Sequence, residues 1–154
     1  MRKFGSSGRR TLATLALMVP WFLVGCDIGK FPLVPVQGRV TFDGATCPKA
    51  GNVTFQPIKI EEGLPRRPAS AQFDVDGAYE VNAFPGQEGV LPGRYRVEVT
   101  CYSGAPDFSK SDPWGAVNYI DSSYKPMELV VDASSDAMRV DIDVPRNKSK
   151  DAPQ

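Results

Sequence analysis

The chain has 154 residues, with 18 basic and 18 acidic side chains, three cysteines and no histidine. With no excess of positive charge there is nothing to grip a phosphate backbone, so nucleic acid is excluded as a partner. The absence of histidine excludes histidine-based serine or cysteine triads and histidine-ligated zinc.

The first element is a leader. Arg2, Lys3, Arg9 and Arg10 precede an uncharged run whose apolar part, Thr11 to Val24, is 14 residues long. A helix crossing ~30 Å of hydrocarbon needs about 20, so the run reads as the apolar region of a secretory signal peptide, residues 1–25. Leu23-Val24-Gly25-Cys26, which closes it, resembles the bacterial lipobox. That resemblance implies that the Cys26 thiol carries diacylglycerol, that the chain is cut before it, and that the new amino terminus is acylated. Each buried methylene contributes roughly 0.8 kcal/mol, so two or three chains anchor stably where one does so only marginally. Cleavage leaves 14 basic residues against 18 acidic, which moves the chain further from nucleic-acid binding. Residues 26–33 then form a lipidated tether, the membrane is the first partner, and the expected location is the bacterial cell envelope, facing the periplasm or exterior.

From Val34 the period becomes two, the mark of strands with one wet face. Val34, Val36, Val40 and Phe42 share a face with Gly38, opposite Gln37, Arg39 and Thr41. Val53 and Phe55 follow, then Ala69, Ala71, Phe73 and Val75, then Tyr79, Val81 and Ala83. The clearest run is Arg94–Cys101, where Tyr95, Val97, Val99 and Cys101 oppose Arg94, Arg96, Glu98 and Thr100. Met127, Leu129 and Val131, then Met138, Val140, Ile142 and Val144, close the series. Seven such strands with turn signals between them predict an all-β sandwich or barrel over residues 34–144.

The Asp-Gly pairs in Phe42–Ala45 and Val75–Ala78 suit tight hairpin turns and should join neighbouring strands. Pro92-Gly93 has the order of a type II turn. Residues 57–68 and 103–125 are expected to be long connections, and such loops are usually functional or mobile. The polar tail, residues 145–154, is expected to be disordered. Cys47 and Cys101 remain once Cys26 is lipidated. In an oxidising compartment they pair as a disulfide, worth about 4 kcal/mol on the chain-entropy account, or they pack as two separate buried thiols; the bridge is the expectation.

The segments "VQGRVTFDGATCPKAGNVTFQP", "ASAQFDVDGAYEV", "GVLPGRYRVEV" and "YIDSSYKPMELVVDASSDAMRVDIDV" together resemble the small envelope lipoproteins of planctomycete-type bacteria that carry a carboxypeptidase-regulatory-like, transthyretin-like domain. The resemblance implies a seven-stranded Greek-key sandwich of immunoglobulin/transthyretin-like type and no catalytic activity. Cys47 departs from it, standing where an aliphatic residue is common after the Asp-Gly turn.

No spacing favours a catalytic carboxylate pair, and "DVDG" at Asp74–Gly77 reads as a turn rather than a calcium loop, because Tyr79 occupies the next ligand position. No cofactor or metal is expected. Trp114, Tyr119 and Tyr124 in the 103–125 connection could stack on a sugar or peptide, or fold back over the sandwich. The expected role is that of a non-enzymatic, lipid-anchored envelope protein with a structural or protein-interaction task. The alternative is a carbohydrate- or peptide-binding module that uses those aromatics.

Overall fold

A computed structural model describes residues 31–104, 108–109 and 117–148. The expected leader, the expected lipidation site Cys26 and the ligand-binding candidate Trp114 lie outside the described residues. The compact unit begins at Phe31.

The described residues form eight strands: β1 (Val36–Phe42), β2 (Gly51–Ile60), β3 (Ala69–Phe73), β4 (Ala78–Val81), β5 (Gly93–Thr100), β6 (Met127–Val131), β7 (Met138–Arg139) and β8 (Ile142–Val144). They form two four-stranded sheets. In one, β1 lies between β4 and the β7/β8 pair; the other runs β3-β2-β5-β6. The second is antiparallel throughout, whereas β1 runs antiparallel to β4 and parallel to β7 and β8. The alternating apolar rows face each other between the sheets, with Val36, Val40, Phe42, Val53, Phe55, Phe73, Val81, Tyr95, Val97 and Val144 essentially fully buried. The polar partners of each row, such as Arg94, Arg96 and Glu98, face solvent. Close-packed burial of this apolar surface is the main force holding the sheets together.

The last predicted strand is two strands, because the ladder is interrupted at Val140–Asp141. Gly38 on β1 is the cause: a Cβ there would run into the Val140 carbonyl. Val140 N still donates to Gln37 O at 2.9 Å, and side chains complete the gap. Tyr79 donates its hydroxyl to Val140 O at 2.5 Å, and Asp141 Oδ1 accepts from Arg39 N at 2.9 Å.

The Asp-Gly turns form but do not pair the strands on either side in the expected way. Asp43 (φ 50°) and Gly44 (φ 75°) give the doubly positive geometry of a primed turn, closed by reciprocal Phe42–Ala45 hydrogen bonds of 3.0 Å. Both edges of β1 are already occupied, by β4 and by β7/β8, so the chain leaves the turn for the other sheet. The Asp74–Gly77 turn joins β3 to β4 across the two sheets, and Asn82, just past β4, bridges to Ser70 of β3. Val75, predicted on the core row, belongs to this turn and is 58% exposed.

Two further expectations are corrected. The loop predicted from residue 57 begins later, since β2 runs through Pro57 to Ile60 with a bulge at Pro57/Lys59, the kind of site where a strand tolerates proline. Pro57 O receives two hydrogen bonds from Arg66, from Nε at 3.2 Å and Nη2 at 2.8 Å. Pro92-Gly93 is not a type II turn: Gly93 is the first residue of β5, paired to both Ile60 and Val131. Two residues on, the Tyr95 hydroxyl donates back to Leu91 O at 2.7 Å, a tyrosine-corner contact.

Candidate functional site

The two ends of the sandwich differ in what they carry. Phe31, Val34, Ile60, Val90, Gly93 and Met138 gather at one, here the tether end, through the Val34–Val90, Ile60–Gly93 and Val36–Met138 pairings. The Phe42–Ala45 and Asp74–Gly77 turns, both described cysteines and the start of the long connection at Ser103 with its return at Val117 lie at the other, the far end. Val40 N to Gly77 O (2.9 Å), Cys47 N to Val75 O (3.1 Å) and Asp43 N to Val144 O (3.0 Å) tie that end together.

The long connection leaves the far end through a hydrogen-bonded neck. Ser103 N donates to Val117 O, Val117 N to the Ser103 hydroxyl, and Tyr119 N to Cys101 O, at 2.9, 2.9 and 3.0 Å. Lys49 Nζ donates to Ser103 O from the facing turn. The returning strand of the neck then receives the end of the chain: Asp121 N donates to Pro145 O and Asn147 N to Tyr119 O, both at 2.9 Å. Pro145–Asn147, expected in a disordered tail, are therefore paired, because residues 119–121 offer them an open edge.

The predicted aromatic site comes together only in part. Tyr119 and Tyr124 are half-buried against the core, and the Tyr124 hydroxyl accepts the Val99 amide at 3.2 Å, beyond the last residue that β6 pairs. Burial pushes the Tyr124 phenol above its usual value. Both rings thus cover the sandwich and form no open platform.

Cys47 and Cys101 do not form the expected bridge. Both are free and buried, with Cys47 Sγ donating to Val40 O at 3.3 Å and Cys101 Sγ to Lys49 O at 3.5 Å. Burial, with smaller contributions from Cys101 and Asp76, pushes Cys47 up to about 11, and burial raises Cys101 as well. Thiols held protonated in this way are poor nucleophiles at neutral pH. Cys101 does face the core row, as its place in the β5 alternation requires. In "DVDG", Gly77 N donates to Asp74 O at 2.8 Å and Ala78 N to Asp76 Oδ1 at 3.2 Å, so both aspartates serve the turn. Among the described residues, no three potential metal ligands converge.

The chain matches no known protein family, curated protein or solved structure. What the site can do must therefore be argued from its own chemistry.

Two surface features escape the sequence reading. A groove of about 450 Å³ on the outer face of β2 and β5 is lined by Gln56, Pro57, Ile58, Arg66, Arg96 and Glu98. At the tether end a second, of about 380 Å³, includes Arg67, Ser70, Asn82 and Phe84. Beside it Phe31 stacks on Phe84, with centroids 5.0 Å apart and 11° between planes, and the Arg67 guanidinium stands 4.8 Å from the Phe84 centroid. The available signal was the repeated Phe-Pro dipeptide, Phe31-Pro32 and Phe84-Pro85, in segments without apolar period.

Proposed function

We propose that the chain is a non-enzymatic, lipid-anchored β-sandwich protein of the bacterial cell envelope with a structural or protein-interaction role. The observation that carries this reading is the separation of its ends. Cys26 of the lipobox-like motif precedes the sandwich by five residues at the tether end, and the longest connection leaves from the opposite end through a hydrogen-bonded neck. An anchored module whose longest connection starts and returns at the end opposite its anchor suits a protein that holds or meets another envelope component. The strand order β4-β1-β7/β8 against β3-β2-β5-β6 supports the immunoglobulin/transthyretin-like Greek-key arrangement, with β7 and β8 counted as one interrupted strand. The thiols held neutral leave no activated nucleophile among the described side chains.

In-cell photo-crosslinking tests this function. A photoreactive residue replacing Asn118 in the neck is expected to trap one discrete protein adduct. Binding to purified envelope glycan that is lost in Trp114→Ala, with no protein adduct, would replace the reading with the sugar-binding one. The inward Tyr119 and Tyr124 disfavour that alternative.

A further inference from the structure

The described chain is fixed twice at its start. Phe31 stacks on Phe84, and three residues later Val34 and Val90 exchange main-chain hydrogen bonds of 2.9 and 3.0 Å. Both fastenings are at the tether end. Only four residues lie between Cys26 and Phe31, and the five Cα-to-Cα steps across them, at about 3.5 Å each, reach about 18 Å when fully extended. β2 runs from Gly51 at the far end to Ile60 at the tether end, 10 residues that at about 3.3 Å each span about 33 Å. Were the far end to rest on a bilayer, Phe31 would stand roughly one β2 length above it, well beyond what the tether reaches.

We infer that the tether end is a membrane-facing surface, formed by segments 61–68, 84–92 and 132–137 around the Phe31–Phe84–Arg67 stack, and that it sits on the headgroup layer of the bilayer holding the acyl chains of Cys26. The inference rests on the lipidation proposed above and adds to it which end of the module the lipid surface meets. The far end, with its loop, is thereby held outward.

Charge does not supply this orientation. Around the tether end Lys59, Arg66, Arg67 and Arg94 stand against Glu61, Glu62, Glu88, Asp132 and Asp136, so there is no positive excess for an anionic surface to attract. Screening acts over about 8 Å at physiological salt, less than half the tether's reach. The short covalent link sets the orientation, and seating is the same on neutral lipid and insensitive to salt.

The test uses the full chain, expressed with its leader, purified in its acylated form and reconstituted into phosphatidylcholine vesicles containing a headgroup-nitroxide lipid. A fluorophore is attached at one exposed position, Glu88→Cys at the tether end or Thr46→Cys at the far end; Cys47 and Cys101 are buried. Quenching several-fold stronger at position 88 than at 46 is expected, at low and high salt alike. Equal quenching, or the reverse order, overturns the inference. A flexible Gly/Ser insertion after Ile28, longer than β2, is expected to erase the difference, and Phe84→Ala to reduce it by freeing the chain back to Val34. A difference that survives the insertion overturns the claim that the tether sets the orientation. Protein that neither floats with vesicles nor carries acyl mass overturns the anchoring reading itself, and is told apart from the other outcomes by that flotation.

Discussion

Tyr79 and Tyr95 are the two buried phenols on which local structure turns. Each spends its hydroxyl on a main-chain carbonyl, Val140 for Tyr79 and Leu91 for Tyr95, at a point where the ladder supplies no partner. Leu91 is itself fully buried, so Tyr95→Phe leaves its carbonyl without that donor. The expected cost is about 1–2 kcal/mol, read from urea midpoints, and an unchanged midpoint would contradict the role given to the hydroxyl. Burial pushes the Tyr95 phenol up from 10.0 to about 12 and Cys47 from 9.0 to about 11. Both are neutral when protonated, and the unfolded chain loses these protons first. Their contribution is therefore fully present below pH 9 and is lost as pH rises through about 11 and then about 12. Urea stability is expected to fall above pH 9, and Cys47→Ala is expected to delay the onset. A flat profile to pH 11 would contradict both shifts. These residues were legible in sequence as core positions, because the period-two pattern of β5 and β4 points them inward. Their hydroxyl partners were not, since those carbonyls are brought near by segments elsewhere in the chain.

At the scale of the element, local pattern and tertiary context part company. Alternation found every strand, yet it merged β7 with β8, because the break is caused by the approach of Val140 to Gly38 from the far end of the sequence. Gly38→Ala is expected to cost about 2–3 kcal/mol, since the collision is with backbone that cannot step aside. Gly44→Ala, with φ 75° and open space around it, is expected to cost only about 1 kcal/mol. Equal midpoints for the two variants would contradict the account of the break. Asp-Gly chemistry announced reversals correctly but could not say which sheet the chain would enter next, because that depends on which edges of β1 are already taken. The neck was missed for a related reason: Ser103, Val117 and Tyr119 carry no pattern, and their order comes from main-chain pairing. Hydrogen exchange checks it, with the Val117, Tyr119 and Asn147 amides expected to be protected well above unstructured-chain rates. Free exchange at all three would mean the neck and the end of the chain are not held as described.

For the whole molecule, the legible part was the class: apolar rows at period two become two facing sheets. The predicted site was less legible because aromatic side chains in a polar loop read the same whether they face solvent or core. Tyr119 and Tyr124 turn inward since the open edge beyond β6 and the end of the core offer them more burial than solvent does. The Phe31–Phe84 stack was missed for the opposite reason, lying in stretches with no period, where only a repeated Phe-Pro dipeptide marks it. In the proposed function, the residues before the sandwich are a short leash at one end and the connection beyond the neck is an interaction element at the other. Everything functional in this description depends on Cys26 being the lipid-bearing first residue of the mature chain. Intact-mass measurement of the protein extracted by detergent from its native envelope tests that most directly. The expected mass is that of residues 26–154 plus a diacylglyceryl group and an amide-linked acyl chain, with both additions lost in Cys26→Ser. A chain that retains residues 1–25, or one that begins elsewhere and carries no acyl mass, would contradict it.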